Sequence, residues 1–480
     1  MASHNLLVLS DVHLGSDLVH CARPDAPLRD VTNDARDDQL AALLDWYREH
    51  PIGGRPWRLV IAGDFVDFVG MSVTPPKSGT ATPLDEDDRI FGLGSAEDHT
   101  IYKLRCVARR HARVFESLSR FLQAKNTVVL VRGNHDVDFH WPAVQDEFLR
   151  QLAMYGRIER GLIEFSPWFY YEEGRVFVEH GHQYDRYCST EHVLHPVSPR
   201  DARRSSRSLS DVLLRHVVRP TRGLHEAGHE KAGPLDYVLL ACRLGVKGLV
   251  GLALRFADAV RRLFGMWRDH GSAAAARIRA HHDRRMSELA HLLGVSLDRL
   301  RELAALQRAP ITQNFGALAS TVMLDRIALG VLGALAVAAS LAVAPRLENT
   351  LLVAFAAVLV VALTSKVLGL LRKDIEPSNE LRERAARVAR LFPAAFVVMG
   401  HTHLPEVRSA PGSPSTYVNL GAWANADGGE GGEGGVSSRT HLVLLSDGEG
   451  APVLAELRVW DAGVGPRELI SVSDESAKRV

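Results

Sequence analysis

The sequence lacks the features of disulfide-rich and secreted proteins. Among its 480 residues, no paired spacing connects the four cysteines, Cys21, Cys106, Cys188 and Cys242. Isolated cysteines of this kind are typical of reduced thiols in a cytosol-facing protein rather than of a disulfide framework. The first ten residues also lack the charged and apolar segments of a signal peptide, so none is predicted.

The chain also lacks a net charge, because 57 lysine and arginine residues balance 57 aspartate and glutamate residues. No nucleic-acid partner is therefore expected from global charge. With 46% hydrophobic and 24% charged residues, the composition is that of a globular protein long enough for more than one domain. The glycine-rich segment 428–435 contains no phosphate-binding pattern and is interpreted as a flexible loop.

What the sequence does contain is five short motifs, nearly all of which directly follow a short apolar run. They are Asp11-Val12-His13, Gly63-Asp64, Gly133-Asn134-His135-Asp136, His180-Gly181 and Gly400-His401-Thr402-His403. The apolar runs are rich in β-branched residues and predict buried strands. If these strands lie side by side in sheets, their carboxyl ends bring the motifs together at one edge.

The side chains in these motifs are those that hard divalent cations prefer, namely carboxylates, an amide oxygen and imidazoles. Two such cations about 3.5–4 Å apart need a carboxylate that bridges them and offsets their repulsion. One Asp, one Asn and four His would supply terminal ligands, and the remaining Asp could bridge. Cysteine is absent from the motifs, which argues against a structural zinc or iron–sulfur site. The motifs therefore predict a two-metal hydrolytic site.

In this order the motifs resemble those of the calcineurin-like metallophosphoesterase superfamily, D-x-H, G-D, G-N-H-D, H and G-H-x-H. The resemblance covers residues 5 to about 190 and about 391 to 460. It implies an α/β fold in which two sheets are stacked between two layers of helices, a four-layer αββα sandwich. It also implies hydrolysis of a phosphoester by two divalent metal ions, with Mn²⁺ expected first and Fe or Zn as alternatives. It also implies seven metal ligands, which are Asp11, His13, Asp64, Asn134, His180, His401 and His403.

The same resemblance implies how the ligands divide between the two metals. One metal would be held by Asp11, His13, Asp64 and His403. The other would be held by Asn134, His180, His401 and the bridging Asp64. His135 would contact the phosphoryl oxygens or the leaving group, and Asp136 would orient it. His182 competes with His180 as a ligand, and Asp67 is expected to hydrogen-bond beside the site rather than to bind metal.

A long segment separates the fourth motif from the fifth, so the sequence predicts an insertion in the phosphoesterase domain. The predicted divisions are the first part of the phosphoesterase domain at 1–190, a helical cap or insertion at 191–326, a transmembrane hairpin at 327–371, the second part of the domain at 372–465 and a disordered tail at 466–480. The arginine-rich segment 191–230 is interpreted as a loop or mobile cap. Its charges would meet an anionic substrate or a lipid head group, or else form a solvated basic loop.

Residues 235–267 predict a helix with a basic face, although Gly245 weakens this prediction. The basic residues on that face are Arg243, Lys247, Arg255, Arg261 and Arg262. This pattern is typical of a helix that lies in a membrane interface. It is also typical of an amphipathic helix packed on its own domain.

Two apolar stretches predict a membrane hairpin. Residues 327–344 carry no charge and residues 350–371 carry only Lys366, and a membrane span needs about 20 apolar residues. Two crossings would return the fifth motif to the side of the first four. Basic residues after the second stretch would put the catalytic domain in the cytoplasm, at the inner membrane. The alternative is a buried helical pair that forms a homodimer interface or an acyl-chain groove.

These expectations favour a phosphoesterase at the cytoplasmic face of a membrane that cleaves a phosphomonoester, phosphodiester or pyrophosphate, with lipid-linked or nucleotide-linked compounds as candidate substrates. The D-V-H-L-G and G-D-F-V-D motifs are similar to those of UDP-2,3-diacylglucosamine pyrophosphatases of lipid A synthesis. That subgroup usually carries Arg in place of His135, so this activity is the second expectation. The alternative from another class is a non-catalytic membrane scaffold that retains the fold.

Overall fold

The computed structural model of the chain describes residues 4–18, 34–221, 234–322, 377–424, 439–446 and 452–471, with a few helical positions between 333 and 364. The strands within these ranges are β1 Asn5–Leu9, β2 Trp57–Ala62, β3 Thr127–Val131, β4 Ile163–Ser166, β5 Phe169–Glu172, β6 Gly174–Glu179, β7 Ala394–Met399, β8 Pro405–Ser409, β9 Thr416–Leu420, β10 Thr440–Ser446, β11 Pro452–Asp461 and β12 Gly465–Ser471.

The α-helices connect these strands and build the insertion. They are α1 Asp34–Glu49, α2 Glu86–Phe91, α3 Glu97–Arg110, α4 Ala112–Gln123, α5 Pro142–Ala153, α6 Leu209–Leu213, α7 Pro234–Asp269, α8 Ala273–Leu293, α9 Leu297–Leu306, α10 Phe315–Thr321 and α11 Pro377–Leu391. A π-helical turn, Leu214–Val218, directly follows α6.

The strands form two sheets whose pairing brings the motifs to one end. The larger sheet has seven strands in the order β12-β11-β10-β1-β2-β3-β4, and the smaller has five in the order β5-β6-β7-β9-β8. The strands β1, β2 and β3, which precede the first three motifs, are parallel neighbours. The strands β6 and β7, which precede the last two, are also parallel. Parallel neighbours end at the same edge of a sheet, so each set of motifs meets there.

Alternate residues of the central strands face two different cores, as the two-residue repeat of a strand requires. In β1, Leu7 and Leu9 pack against α1, α3, α4 and α5, whereas Leu6 and Val8 pack against the smaller sheet. On the outer face of the smaller sheet, Phe177 packs against α8, α9 and α11. The described chain is therefore a mixed α/β fold with two stacked sheets between helices, which confirms this part of the predicted fold.

The arginine-rich start of the insertion, predicted as a loop or mobile cap, is packed on the phosphoesterase domain. Arg204 lies 2.6 Å from an oxygen of Asp88, and Arg207 lies 2.8 Å from an oxygen of Asp138. These ion pairs join the insertion to loops and helices that follow β2 and β3. These two arginines are thus neutralised by carboxylates of the same chain. Residues 222–230 lie outside the described part.

The predicted basic helix is present as α7, with a break at Gly245, where φ is 59°. Its C-terminal half is buried against α6 and α10 through Ala259 and Leu263. On the same half, Arg262 pairs with Asp87 of the phosphoesterase domain. This half of the helix is therefore the amphipathic helix packed on its own domain that the sequence left as the alternative to a membrane interface. A homodimer through the insertion stays a prediction.

The prediction of a membrane protein is contradicted. No helix in the part of the chain that the structure describes is long and apolar enough to span a bilayer. The predicted inner-membrane location, with a two-helix hairpin and a cytoplasmic catalytic domain, is therefore corrected. Most of the segment 327–371, on which the hairpin prediction depended, lies outside the described residues.

The predicted disordered tail at 466–480 is also corrected in its first part. Strand β12, Gly465–Ser471, pairs antiparallel with β11 and forms the edge of the larger sheet. Its backbone hydrogen bonds to β11 supply the stabilisation that its polar sequence does not indicate. Residues 472–480 lie outside the described part.

A buried lysine fixes the backbone beside the second motif. Lys103 on α3 is 0% exposed, and its Nζ donates a hydrogen bond to the carbonyl oxygen of Phe68 at 2.8 Å. Burial lowers the pKa of Lys103 to about 7, although the charge on Asp138 partly opposes this shift. The lysine thus holds the loop after β2, although burial disfavours the charged form of its amino group.

We expect Lys103→Met to make the free energy of unfolding less dependent on pH. Unfolded lysine keeps its proton up to about pH 10.4, whereas folded Lys103 releases it near pH 7, so its contribution to stability rises with pH through this window. From pH 7 to pH 9, the free energy of unfolding of the wild type should rise by about 2 kcal/mol relative to that of Lys103→Met. Denaturant unfolding measures it, with exposed Lys77→Met as the control. Parallel pH profiles for wild type and Lys103→Met would contradict the expectation.

Candidate metal centre

Main-chain hydrogen bonds hold the motif loops against one another. The N–H of His13 donates to the carbonyl oxygen of Asp64 at 2.9 Å, which joins the first two motifs. The N–H of Gly400 donates to the carbonyl oxygen of His180 at 3.0 Å, which joins the last two. The loop after β1 is therefore joined to the loop after β2, and the loop after β6 to the loop after β7; a third bond, from the N–H of His401 to Oδ2 of Asp11, connects the two pairs.

Most of the predicted ligands hold a left-handed backbone conformation that L-residues rarely adopt. The φ angles are 55° for Asp11, 51° for His13, 54° for Asp64, 71° for His401 and 57° for His403. In the described part of the chain, Lys125 and Arg439 are the other non-glycine residues with positive φ. A residue in this region costs on the order of 1–3 kcal/mol, and such strain clusters at functional sites. The backbone is therefore strained where the ligands are.

The motif glycines leave space for the ligands to approach the backbone. A Cβ atom at Gly133 would lie 2.1 Å from Oδ1 of Asp64. A Cβ atom at Gly63, where φ is +86°, would lie 2.5 Å from the ring of His180. Any other residue at these two positions would displace a predicted ligand.

One group of converging ligand atoms belongs to Asp11, His13 and His403, which all lie within 4.8 Å of one another. Nε2 of His403 is 3.1 Å from Oδ1 of Asp11. Nε2 of His13 is 3.7 Å from Oδ1 of Asp11 and 3.8 Å from Oδ2 of Asp64, distances too long for hydrogen bonds. This buried nitrogen has no hydrogen-bond partner in the described structure. A cation among these atoms would give it one.

A second group of acceptor atoms surrounds His180. Its Nε2 is 3.2 Å from Oδ2 of Asp64 and 3.1 Å from Oδ1 of Asn134. Its Nδ1–H donates to the carbonyl oxygen of Ala62 at 2.8 Å, so the lone pair of the neutral ring is on Nε2. Three acceptor atoms repel one another at these distances unless a positive charge lies among them. That charge is either a proton or a metal ion.

The pKa values of these residues also indicate that the site stabilises a positive charge. Burial alone would raise the pKa of Asp11 and Asp64. Charge on His403 and His180 outweighs burial and lowers the pKa of Asp11, and charge on His180 and His135 does so for Asp64. Burial likewise opposes the proton on His180, but Asp64 and Asp11 raise the pKa of this imidazole to about 9. A divalent cation would take the place of that proton, so the donor set fits a metal.

His401 turns its ring towards Asp185, a residue that the sequence analysis missed. The N–H of His401 donates to Oδ2 of Asp11 at 3.1 Å, which ties the fifth motif to the first. Its Nε2–H donates to Oδ2 of Asp185 at 3.1 Å. A carboxylate that engages one ring nitrogen orients the imidazole and leaves the other nitrogen for a metal. We therefore expect Nδ1 of His401 to be the ligand atom.

Asp185 carries a weak sequence signal. It follows His180 by one short 3₁₀ turn, His182–Tyr184, so the turn returns its carboxylate to the site. A carboxylate shortly after a ligand motif is a reasonable candidate partner for another ligand. Many such carboxylates occur along the chain, however, and only the packing of β6 beside β7 selects this one.

His182, the alternative to His180, is directed elsewhere. Its Nε2 accepts a hydrogen bond from the amide of Gln183 at 2.9 Å. Its ring centroid is 5.3 Å from that of His180 and 6.5 Å from that of His401. The groups of clustered ligand atoms within the described residues include His180 and not His182. The geometry thus favours His180 as the ligand, and the choice stays a prediction.

His135 lies beside the two groups and is held by Asp67. Its ring centroid is 4.7 Å from that of His13, and its N–H donates to Oδ1 of Asp64 at 2.8 Å. Its Nδ1 hydrogen-bonds Oδ1 of Asp67 at 2.7 Å, a contact of the kind expected of Asp67. The resemblance implied that Asp136 would orient His135, but the structure has Asp67 in that position.

Asp136 braces the main chain instead. It accepts hydrogen bonds from the N–H of Gly133 at 2.6 Å and from the N–H of Phe65 at 2.8 Å. Burial and the charge on Asp64 raise the pKa of Asp136 to about 6. These bonds connect the loop after β2 with the loop after β3, so Asp136 positions the backbone that presents His135.

The insertion also reaches this site through Arg219. One of its Nη atoms lies 3.3 Å from Oδ2 of Asp67, and the other donates to the carbonyl oxygen of Ser16 at 3.3 Å. The sequence marked the surrounding segment as basic but did not distinguish this arginine. Its role depends on how the insertion packs, which no local pattern records.

Replacing Asp185 by Asn should weaken Mn²⁺ binding about 10–100-fold, because the amide no longer holds His401 as strongly in one orientation. Isothermal titration calorimetry of the purified chain measures the affinity. The matched control is Asp298→Asn, whose carboxylate is 84% exposed and pairs with Arg301. An unchanged affinity in Asp185→Asn would show that His401 does not depend on this carboxylate.

Gly133→Ala should weaken Mn²⁺ binding at least tenfold, because the new Cβ would force Asp64 from its position. Gly161→Ala is the control, since a Cβ there meets nothing within 4 Å. Titration calorimetry reports the affinity, and circular dichroism verifies that both variants are folded. Equal affinities in the two folded variants would contradict the expectation.

Comparison with known proteins agrees with the geometry. A family model described as calcineurin-like phosphoesterase matches residues 4–241, a range that includes the first four motifs. A search of curated proteins found no match, and the similarity to UDP-2,3-diacylglucosamine pyrophosphatases stays a prediction. The matched range contains Asp11, His13, Asp64 and His180, whose ligand atoms cluster in the structure, but not His403. The chain belongs to the calcineurin-like phosphoesterase superfamily and is a metal-dependent phosphoesterase.

Proposed function

We propose that the chain hydrolyses a phosphoester with two divalent cations, of which Mn²⁺ is the first candidate. The proposed ligands are Asp11, His13, Asp64, Asn134, His180, His401 and His403. The observation that carries the proposal is the position of Asp64 Oδ2, which lies 3.8 Å from Nε2 of His13 and 3.2 Å from Nε2 of His180. One carboxylate thus faces both groups of ligand atoms, as a bridging ligand must.

When bound, two divalent cations lower the pKa of a water molecule and neutralise charge on the phosphoryl oxygens. The protein residues keep the site ready for them. Asp11 and Asp64 are ionised because the neighbouring imidazoles lower the pKa of both carboxyl groups. The carbonyl oxygen of Ala62 fixes the tautomer of His180, so the ring need not reorganise.

His135 is the residue that we assign to the leaving group. Asp67 holds Nδ1 of the ring at 2.7 Å, so Nε2 is the atom assigned to the leaving oxygen. The carboxylate of Asp67 would stabilise the protonated imidazole, which could then donate its proton as the ester bond breaks. In this account Asp67 is a positioning residue.

The substrate would approach from the side of His403. The side chain of His403 is 44% exposed, whereas that of Asp11 is fully buried. The site is therefore open along one face and closed beneath by the strand ends. An extended ester could keep its alcohol portion outside the metal site while its phosphoryl group reaches the cations.

Asp64→Asn should reduce Mn²⁺-dependent hydrolysis of bis(4-nitrophenyl) phosphate to the level without enzyme and should lower the metal retained per chain. An amide cannot supply the negative charge that offsets the repulsion of two cations. Release of 4-nitrophenolate measures the rate. Asp146→Asn is the control, because its carboxylate is 46% exposed and pairs with Arg160.

A fully active Asp64→Asn enzyme would contradict the assignment of Asp64 as the ligand that bridges the two cations. The same assay, extended to a phosphomonoester and a pyrophosphate, identifies which bond is cleaved. The scaffold alternative predicts that the wild-type chain binds Mn²⁺ and turns over none of the three. Turnover of any one of them separates an enzyme from a scaffold.

A further inference from the structure

A further group of ligand atoms lies beside the metal centre and includes a thiol. Asp185, Cys188 and His401 each place one such atom within 4.8 Å of those of the other two, and these three residues are here called the Cys188 group. Nε2 of His401 lies 3.1 Å from Oδ2 of Asp185. Asp185 and His401 already have roles at the metal centre, whereas Cys188 has none.

Asp185 and Cys188 belong to one short turn after β6. Two residues separate them, and the N–H of Cys188 donates to the carbonyl oxygen of Asp185 at 3.1 Å. Pairs of ligands in zinc sites commonly have this spacing. His401 reaches the turn from the loop after β7, because β6 and β7 are parallel neighbours. The turn therefore supplies two candidate ligands, and the packing of the sheet supplies the third.

The donor atoms of the Cys188 group differ from those of the catalytic ligands. The group combines sulfur, nitrogen and oxygen, whereas the other groups of clustered ligand atoms in the described residues contain only nitrogen and oxygen. Thiolates select Zn²⁺ over Mn²⁺, which prefers oxygen ligands. Zn²⁺ is usually bound by four ligands. Oγ of Ser210 lies 3.2 Å from Sγ of Cys188, so a hydroxyl oxygen or a water molecule can complete the four.

The Cys188 group is accessible to an ion, and its thiol is not suited to redox chemistry. The side chains of Asp185 and His401 are each 10% exposed, and Cys188 is half-buried. Burial and the charge on Asp185 raise the pKa of the Cys188 thiol. Because the thiolate is the form that is oxidised, this shift argues against an oxidation-sensitive cysteine. A metal ion, in contrast, deprotonates the thiol that it binds.

His401 cannot serve the catalytic centre and the Cys188 group at the same time. A neutral imidazole has one nitrogen lone pair, because the other nitrogen carries a proton. In the catalytic arrangement, Nδ1 is the ligand atom and the proton on Nε2 is donated to Asp185. A cation bound to Nε2 requires that this proton move to Nδ1. Occupation of the Cys188 group therefore removes one ligand from the catalytic centre.

We propose that the Cys188 group binds Zn²⁺ and that this binding inhibits the phosphoesterase. The ligand atoms are Oδ2 of Asp185, Sγ of Cys188 and Nε2 of His401. Binding releases the thiol proton to solvent and shifts the His401 proton from Nε2 to Nδ1. The inhibitory role rests on the proposed function, because it acts through a ligand of the proposed catalytic centre. The binding of Zn²⁺ does not depend on that function.

Cobalt spectroscopy tests the binding without a measurement of activity. Co²⁺ occupies zinc sites, and a thiolate bound to it gives a charge-transfer absorption in the near ultraviolet that nitrogen and oxygen ligands do not give. Chelator-stripped wild type with Co²⁺ should show this absorption, and Cys188→Ala should lose it. Cys106→Ala is the matched control and should retain it, since Cys106 belongs to none of the groups of clustered ligand atoms. Excess Mn²⁺ should diminish the absorption, because both sites need His401.

Inhibition is measured with the Mn²⁺-loaded enzyme and bis(4-nitrophenyl) phosphate. Zn²⁺ should inhibit the wild type, and added Mn²⁺ should relieve the inhibition. Loss of a partner at a metal site costs about 10–100-fold in affinity, so inhibition of Cys188→Ala should need at least about tenfold more Zn²⁺. Each protein is compared with its own rate without Zn²⁺, and Cys106→Ala should respond like the wild type. Equal sensitivity of wild type and Cys188→Ala would place the Zn²⁺ at the catalytic ligands and overturn the proposal.

The two measurements separate this proposal from the proposed function. If the ester is not hydrolysed, the proposed function fails, and the cobalt spectrum still decides whether Cys188 is a ligand. Circular dichroism verifies that each variant is folded. No thiolate absorption in folded wild type, or the same absorption in Cys188→Ala, would overturn the binding site. Thiolate absorption in a wild type whose Mn²⁺-dependent rate is insensitive to Zn²⁺ would overturn the inhibitory role.

Discussion

Asp64 connects the two halves of the metal centre, and much of the surrounding structure serves to hold its carboxylate in place. Oδ1 is fixed by the N–H of His135, which leaves Oδ2 facing His13 on one side and His180 on the other. The residue is 2% exposed and has a φ of 54°. Its position is possible only because Gly133 has no side chain.

The stacked sheets supply the free energy that maintains this strained arrangement. Strain of about 1–3 kcal/mol per left-handed residue persists only where the surroundings over-determine the backbone. Here β1, β2 and β3 are buried on both faces, and Asp136 joins the loop after β2 to the loop after β3. The insertion adds Arg219 to the carboxylate that holds His135.

The sequence predicted the centre of the fold because its signals there are local. Apolar runs that are followed closely by Asp, Asn or His mark buried strands that end at the site, and the structure has strands at all five. Asp185 and Arg219 were missed because their roles arise only when β6 lies beside β7 and when the insertion packs. Asp67 rather than Asp136 holds His135, because side chains of adjacent loop residues are directed apart.

The errors also have physical causes. The membrane prediction was based on the number of consecutive apolar residues in the sequence. A membrane span also needs these residues to form one long helix, and no helix of the described residues is long and apolar enough. The basic face of α7 gave two interpretations, and ion pairing with Asp87 decides between them for its C-terminal half. Strand β12 was missed because it is polar and is stabilised by pairing with β11 rather than by its own composition.

The number of metal ions bound per chain tests the account most directly. Protein stripped with a chelator, dialysed against Mn²⁺ and then freed of excess metal can be analysed by inductively coupled plasma mass spectrometry alongside amino-acid analysis. The arrangement around Asp64 predicts two Mn²⁺ ions per chain. One ion per chain, or none, in protein that is folded by circular dichroism would contradict a bridged two-metal centre.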